Sequence, residues 1–339
     1  MNKKYKISII IFTIMLLVIV SLSLFYSRKV DKYLNKDTIS DVNLNIEPQY
    51  HFYAILKNYN EPYWDGIRNG IESMASTLNV AIEINYPDEN DEYENALKLM
   101  DIAIKSNVDG IITFAYDTVD YVELIDAAFQ KGIPVITINS DASQSRRSAY
   151  VGINKYDIGE KQGELVAKCS MQGAKVGMVL ENDDNDINDN GTYMDGFKDA
   201  INKYDNIEIV ATVISDTGVL DAQEAVQDII SNYRDVNVIV CTSSLDTIGA
   251  AQYVVDFNHV GNIGIVGYDS SDEIIDYLDK GVIYGTVVPD TLNLGINSIN
   301  SLFELKTMGR TSSYVQTELQ VVTKENLKEY IKNTELGGN

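Results

Sequence analysis

From Tyr50 onward, short apolar runs alternate with segments whose apolar residues recur every three to four positions, in two successive blocks. In the first block the strand-like runs are Tyr50–Leu56, Ala81–Asn85, Gly110–Phe114 and Pro134–Asn139. Between them, Trp64, Ile67, Ile71, Met74 and Leu78 form one helical stripe, and Tyr93, Ala96, Leu97, Met100 and Ala103 form another. In the second block, runs at Val176–Leu180, Ile207–Ile214, Val236–Val240, Ile263–Gly267 and Val282–Val288 alternate with helical segments near 189–203, 219–231, 245–257, 271–279 and 290–306. Continuous apolar strands separated by helices predict parallel sheets covered on both faces. Two blocks predict two doubly wound α/β lobes, in line with the two domains expected for 339 residues. Pro62 suits a helix start and Lys131-Gly132 a helix stop. No repeat of 20–50 residues and no low-complexity tract appears.

Ahead of the blocks, Ile7 to Phe25 is a 19-residue stretch without charge, preceded by Lys3, Lys4 and Lys6. Its length is that of a bilayer-spanning helix. The predicted element is one N-terminal transmembrane helix, an uncleaved signal anchor; the competing reading is cleavage near Ser27. Lipidation is excluded because the first cysteine is Cys169. Arg28, Lys29, Lys32 and Lys36 nearly balance the basic residues before the span, so charge alone leaves orientation open. The order of signal then domain places the rest of the chain outside the cytoplasm. Residues 29–47 read as a linker.

The chain carries 27 basic and 50 acidic residues, a net charge of −23; from residue 48 on the count is 20 against 46, or −26. A field this negative argues against nucleic acid and against broad docking on anionic lipid. Cys169 and Cys241 are too few for a disulfide scaffold or a zinc site, and His51 and His259 leave little for histidine chemistry. Open parallel sheets bind ligands beyond the carboxyl ends of their strands. The segments to inspect are therefore Asn58–Trp64, Ala115–Asp117, Asn139–Asp141, Glu181–Asn190, Thr242–Ser244 and Tyr268–Ser270. None carries a phosphate-cradling glycine motif, which removes the usual anchors for nucleotides. The acidic run Glu181–Asn190 lacks the spacing of a calcium loop and reads as a solvated loop. No cofactor and no metal is expected.

Asn60-Glu61-Pro62-Tyr63-Trp64, directly after the first strand, resembles the N-P-[FY]-[FW] signature of the ribose- and galactose-type substrate-binding proteins. Gly132–Asn139, Tyr150-Val-Gly152, Gly196-Phe197, Ile248-Gly249-Ala250 and Val266-Gly-Tyr-Asp269 follow in that family's order and spacing, so the resemblance spans about Tyr50 to Ile331. It implies a type I periplasmic-binding-protein fold: two lobes joined by a three-strand hinge, with ligand in the cleft. The lobes expected are 48–153 plus 289–314 and 154–288 plus 315–331, after a signal anchor and linker over 1–47 and before a tail over 332–339. Repressors that share this fold begin with a helix-turn-helix, where this chain has its apolar stretch.

The resemblance also selects residues. Tyr63 and Trp64 would stack on the ligand ring, the competing role for Trp64 being the helix stripe. Glu61 and Asn139 sit where relatives bind hydroxyls; Glu61 also suits an exposed helix start, and Asn139-Ser140-Asp141 also suits a turn. Asp269 matches a carboxylate of the second lobe, with helix capping as its competing role. Asp117 and Asp141 close two further strands. Where relatives carry an arginine this chain has Gly191, Thr192 and Tyr193, and where they carry a strand-end Asn or Asp it has Ser243 or Ser244. The candidate set is thus Glu61, Tyr63, Trp64, Asp117, Asn139, Asp141, Tyr193, Ser243 and Asp269. The convergence of Glu61, Asp117, Asp141 and Asp269 would make the cleft negative and suit an amino-bearing ligand. The expected function is a non-enzymatic, membrane-tethered receptor for a sugar or sugar derivative. Its partner would be an ABC permease or, alternatively, a sensor histidine kinase.

Overall fold

The computed structural model describes residues 47–57, 62–88, 91–170, 173–181, 189–216 and 218–337. Twelve strands and ten helices lie among them. The first sheet contains β1 (His51–Ile55), β2 (Ala81–Asn85), β3 (Gly110–Thr113), β4 (Val135–Ile138), β5 (Ala149–Gly152) and β11 (Tyr314–Gln316), in the order β11-β5-β4-β3-β1-β2. The second contains β6 (Ala174–Glu181), β7 (Ile207–Ser215), β8 (Val238–Cys241), β9 (Gly264–Tyr268), β10 (Gly285–Pro289) and β12 (Leu319–Thr323), in the order β12-β10-β9-β8-β6-β7. Every pairing is parallel except β10 with β12. The two orders are the same pattern repeated, β6 standing for β1 and β9 for β4.

The first lobe carries the helices α1 (Pro62–Thr77), α2 (Glu92–Lys105), α3 (Val119–Gln130) and α9 (Thr291–Met308). The second carries α4 (Lys155–Cys169), α5 (Asp189–Ile201), α6 (Val219–Asn232), α7 (Ser244–Asp256), α8 (Asp272–Lys280) and α10 (Leu327–Gly337). The chain passes between lobes three times. β5 leads into α4, which packs on α5 and the second sheet; β10 leads into α9, which packs on α1 and the first sheet; β11 leads into β12. The α/β two-lobe architecture is the expected one.

Its cause is visible in the strands. β3, β4 and β8 are buried along their whole length, as strands covered on both faces must be, and their sequences are almost wholly aliphatic. Phe52, Ile67, Ile111, Ile112, Ile125 and Ile136 are inaccessible in the first core, and Val226, Ile239, Ile265, Ile274 and Leu278 in the second. Burying each such side chain contributes about 1.5–3 kcal/mol before chain entropy is charged. Both lobes seat the helix that follows a crossing against bare backbone. A methyl group at Gly295 would meet the Ile67 carbonyl oxygen at 2.1 Å, and one at Gly159 would meet that of Tyr193 at 2.1 Å.

The expected architecture included a transmembrane helix ahead of the lobes, and this is corrected. Among the described residues no helix is long and apolar enough to cross a membrane. The stretch from Ile7 to Phe25 lies outside the described residues. Two smaller differences concern strands. β10 begins at Gly285 rather than Val282, and β11 and β12 are short, partly exposed elements whose hydrophobic alternation is too brief to read.

Candidate functional site

Two residues in left-handed backbone conformation mark corresponding positions in the lobes. Asn139 (φ 64°) follows β4 and Asp269 (φ 75°) follows β9. Asparagine and aspartate are the side chains that enter this region at least cost. The Asn139 amide donates to the Val151 carbonyl at 3.0 Å and the Asp269 amide to the Val287 carbonyl at 2.9 Å. Each residue is therefore pinned to the strand that leads out of its lobe, β5 or β10.

In the first lobe, the Tyr63 hydroxyl donates to Asn139 Oδ1, and the Tyr150 hydroxyl donates to the Asn139 carbonyl at 2.9 Å. Trp64 stands edge-on to Tyr63 (centroids 5.5 Å apart) and to Phe114 (5.7 Å). The aromatic run continues from Phe114 to Tyr116 and on to Tyr93 and Tyr121. Lys57 Nζ lies 4.2 Å from the Phe114 ring centre and 3.5 Å from Glu92. Trp64 is 6% exposed and belongs to the first core, as its place on the helix stripe requires.

In the second lobe, the Asp269 carboxylate accepts from the Ser270 amide and the Ser244 hydroxyl, while its carbonyl accepts from Thr286 Oγ1 at 2.7 Å. The side chain is 5% exposed. Burial raises its pKa above the usual carboxylate value, and the two hydrogen bonds oppose that rise. Ser243 caps α7, its hydroxyl accepting from the Asp246 amide at 3.1 Å. Tyr193 lies in the interior, its hydroxyl donating to Gln162 Oε1 at 2.5 Å.

The two sets share one electrostatic environment. Burial pushes the Tyr63 phenol well above its usual pKa; Tyr268, Tyr150 and Asp269 act in the same direction and Lys155 against them. Tyr63, from the first lobe, thus lies within electrostatic reach of Tyr268 and Asp269 of the second and of Lys155, the first residue of α4 after the crossing.

Of the four acids expected to converge, Asp117, Asp141 and Asp269 are described. Both Asp141 oxygens receive Arg147, through Nε and through an Nη2 contact of 2.6 Å, and Thr137 Oγ1 adds a bond of 2.8 Å. Asp141 is thereby neutralised as part of a clamp, because Arg147 also donates to the Ser313 carbonyl at 3.2 Å. Asp117 is exposed at the turn before α3. Glu61 lies outside the described residues, as do residues 182–188 of the acidic run. Among the described residues no group of three His, Cys, Asp or Glu side chains is placed to hold a metal ion. Lys155, Tyr150 and Gln162 are outside the sequence candidates, and Tyr268 enters only through the strand-end segment Tyr268–Ser270. Tyr150 sits in a motif that carried the resemblance, but nothing in spacing announces where its hydroxyl goes.

The family model for the periplasmic binding protein domain matches residues 52–310. The chain belongs to that family. A curated relative, the D-allose-binding periplasmic protein of Escherichia coli (strain K12), is 21% identical over 267 residues, covering 76% of this chain and 85% of its own. Among solved structures, GanP, a glucose-galactose binding protein from Geobacillus stearothermophilus, is 32% identical with a TM-score of 0.74, covering 82% of this chain and 98% of its own. XylFII, solved in a XylFII-LytSN complex, is 30% identical with a TM-score of 0.69, covering 81% and 98%. These relatives are binding proteins, and this family member is a solute receptor rather than an enzyme.

Proposed function

We propose that the protein captures a sugar or sugar derivative between its lobes, outside the cytoplasm, and delivers it to an ABC importer. The observation that carries the sugar reading is the matched pair Asn139 and Asp269, with Tyr63 and Trp64 beside it. An amide and a buried carboxylate accept hydrogen bonds from ring hydroxyls, and an aromatic wall suits the C–H face of a pyranose. The sugars named for the D-allose-binding relative and for GanP support the same class. With Asp141 clamped and Lys155 beside Tyr63, an amino-bearing ligand loses the acidic cleft that would favour it.

Ligand held by both lobes makes contacts that an open form lacks, so it favours closure by that difference. The importer reading rests on the motif resemblance to ribose- and galactose-type substrate-binding proteins. A second reading, a co-receptor for a sensor histidine kinase, is favoured by one observation: XylFII is solved in complex with LytSN.

The test is calorimetric titration of the full chain with D-allose, D-glucose, D-galactose and D-arabinose. One of them is expected to bind, and Asp269→Asn to weaken it by about 10–100-fold, the cost of a charge-assisted hydrogen bond. Undiminished binding by Asp269→Asn would remove Asp269 from the site. Silence across the panel would remove the sugar reading.

A further inference from the structure

The C-terminal lobe hides a fully satisfied amide beneath its strand ends. Gln162, on α4, is inaccessible to solvent. Its Nε2 donates to the Cys241 carbonyl and to the Gly267 carbonyl, each at 2.8 Å, and its Oε1 accepts from Tyr193. The orientation is fixed, because a flipped amide would set its oxygen against two carbonyl oxygens.

Where those two carbonyls lie matters. β8 and β9 are in register through Val240 and Val266, and Cys241 and Gly267 are one step beyond that last pair. Gln162 therefore adds a side-chain rung just where the backbone ladder stops. Thr247 adds the next: its hydroxyl donates to the Ser243 carbonyl at 2.7 Å and accepts from the Tyr268 amide at 3.0 Å. Two residues past each carbonyl that Gln162 holds stand Ser243 and Asp269. The residue that joins the two strands here is buried and belongs to neither β8 nor β9.

We propose that Gln162 is a positioning residue, which fixes the separation of Ser243 and Asp269 and so the sugar-binding geometry of this lobe. The proposal rests on the cleft reading above. A buried glutamine that merely satisfied itself would need no particular carbonyls. Here it spans two strands one step past their last backbone pair.

The test compares the full chain with Gln162→Met, which keeps length and removes both donors. The sugar bound by the wild type, from the D-allose, D-glucose, D-galactose and D-arabinose panel, is expected to bind about 10–100-fold more weakly, two hydrogen bonds of ordinary strength being lost. In the sugar-free protein, amide hydrogen exchange is expected to rise over residues 242–247 and 268–271 and to stay unchanged around Asn139 and in α6. In a double-mutant cycle with Asp269→Asn the two losses are expected to fall short of additivity.

Unchanged affinity and exchange overturns the proposal. So does a rise in exchange spread evenly over the lobe, or a loss of affinity equally large in the Asp269→Asn background. If Gln162→Met does not fold, Tyr193→Phe releases only the Gln162 oxygen and is expected to give the same local exchange pattern at smaller amplitude. Wild-type exchange in that variant overturns the proposal as well. If the wild type binds no sugar of the panel, the sugar reading fails, while the exchange pattern still decides whether Gln162 holds the strand ends.

Discussion

The two lobes repeat one strand order and one crossing pattern, yet they stabilise their strand ends by different means. The first lobe uses aromatic rings: Tyr63, Trp64, Phe114 and Tyr116 stand edge to face in sequence. The second uses buried polar groups: Gln162 with Tyr193, Thr247 with Ser243 and Tyr268, and Asp246 with Ser215. Tyr63 and Tyr193 make the contrast concrete. Both stand near the start of the helix that follows the first strand of their sheet. The hydroxyl of one reaches the left-handed Asn139 after β4, and that of the other reaches the buried amide of Gln162. An aromatic wall is insensitive to pH and tolerant of small shifts, whereas a buried polar network demands that every partner be present.

The largest effect is expected in the aromatic lobe. Trp64→Ala removes a ring that is 6% exposed and is expected to cost about 3–5 kcal/mol, measured by denaturant unfolding. A cost below 1 kcal/mol would mean that the wall belongs to the cleft and not to the core.

Next comes the polar lobe, where pH is the probe. Asp246 is 1% exposed, and one of its carboxylate oxygens has no hydrogen-bond partner. Burial pushes its pKa up to about 6, against hydrogen bonds from Ser215 and Ser243. The folded value lies above the unfolded one, near 3.9, so the folded state prefers the neutral acid. The stability this contributes is complete below about pH 4 and is lost as pH rises through about 6. Asp246→Asn removes the titration. It is expected to gain about 1–3 kcal/mol on the wild type between pH 4.5 and pH 8, seen as a shift of several degrees in the Tm difference. A difference constant with pH would show that Asp246 is ionised throughout.

The smallest effect sharpens the comparison of rungs. In the first lobe, Ser140 Oγ donates to the Ala115 carbonyl at 2.7 Å, a single link between the ends of β4 and β3. Ser140→Ala is expected to cost about 0.5–1.5 kcal/mol in the same unfolding assay. Its effect on sugar affinity is expected to be less than that of Gln162→Met, because the aromatic wall continues to hold the first lobe.

Much of the architecture was legible because aliphatic runs and helical stripes are local signals. Both lobes and most of their strand ends could be read from residues near one another in sequence. The rest depended on distant partners. Asp141 reads as a strand-end ligand until Arg147 turns back onto it. Ser243 reads as a strand-end hydroxyl, and its second task, capping α7, depends on the helix that follows. Asp246 carried a usable sign, an acid on the helix face that continues with Ala250 and Val254, yet its partner Ser215 is 31 residues away on β7. The left-handed conformations of Asn139 and Asp269 are set by the strands beside them, and no sequence pattern marks them. β11 and β12, three and five residues long, are too short to show a pattern, although Val322 reaches the second core.

The three crossings bear on how the protein is made. The first sheet receives β11 only at Gln316, and α1 waits for α9 over Thr291–Met308. The second sheet is complete at Thr323, a few residues later. A nascent chain that has produced β5 must therefore carry an unfinished lobe while roughly 140 further residues emerge, on the order of ten seconds of translation at typical rates. Neither half can be released early as a finished product. Until Tyr314–Gln316 has emerged, the β5 edge of the first sheet lacks the strand that covers it in the finished fold.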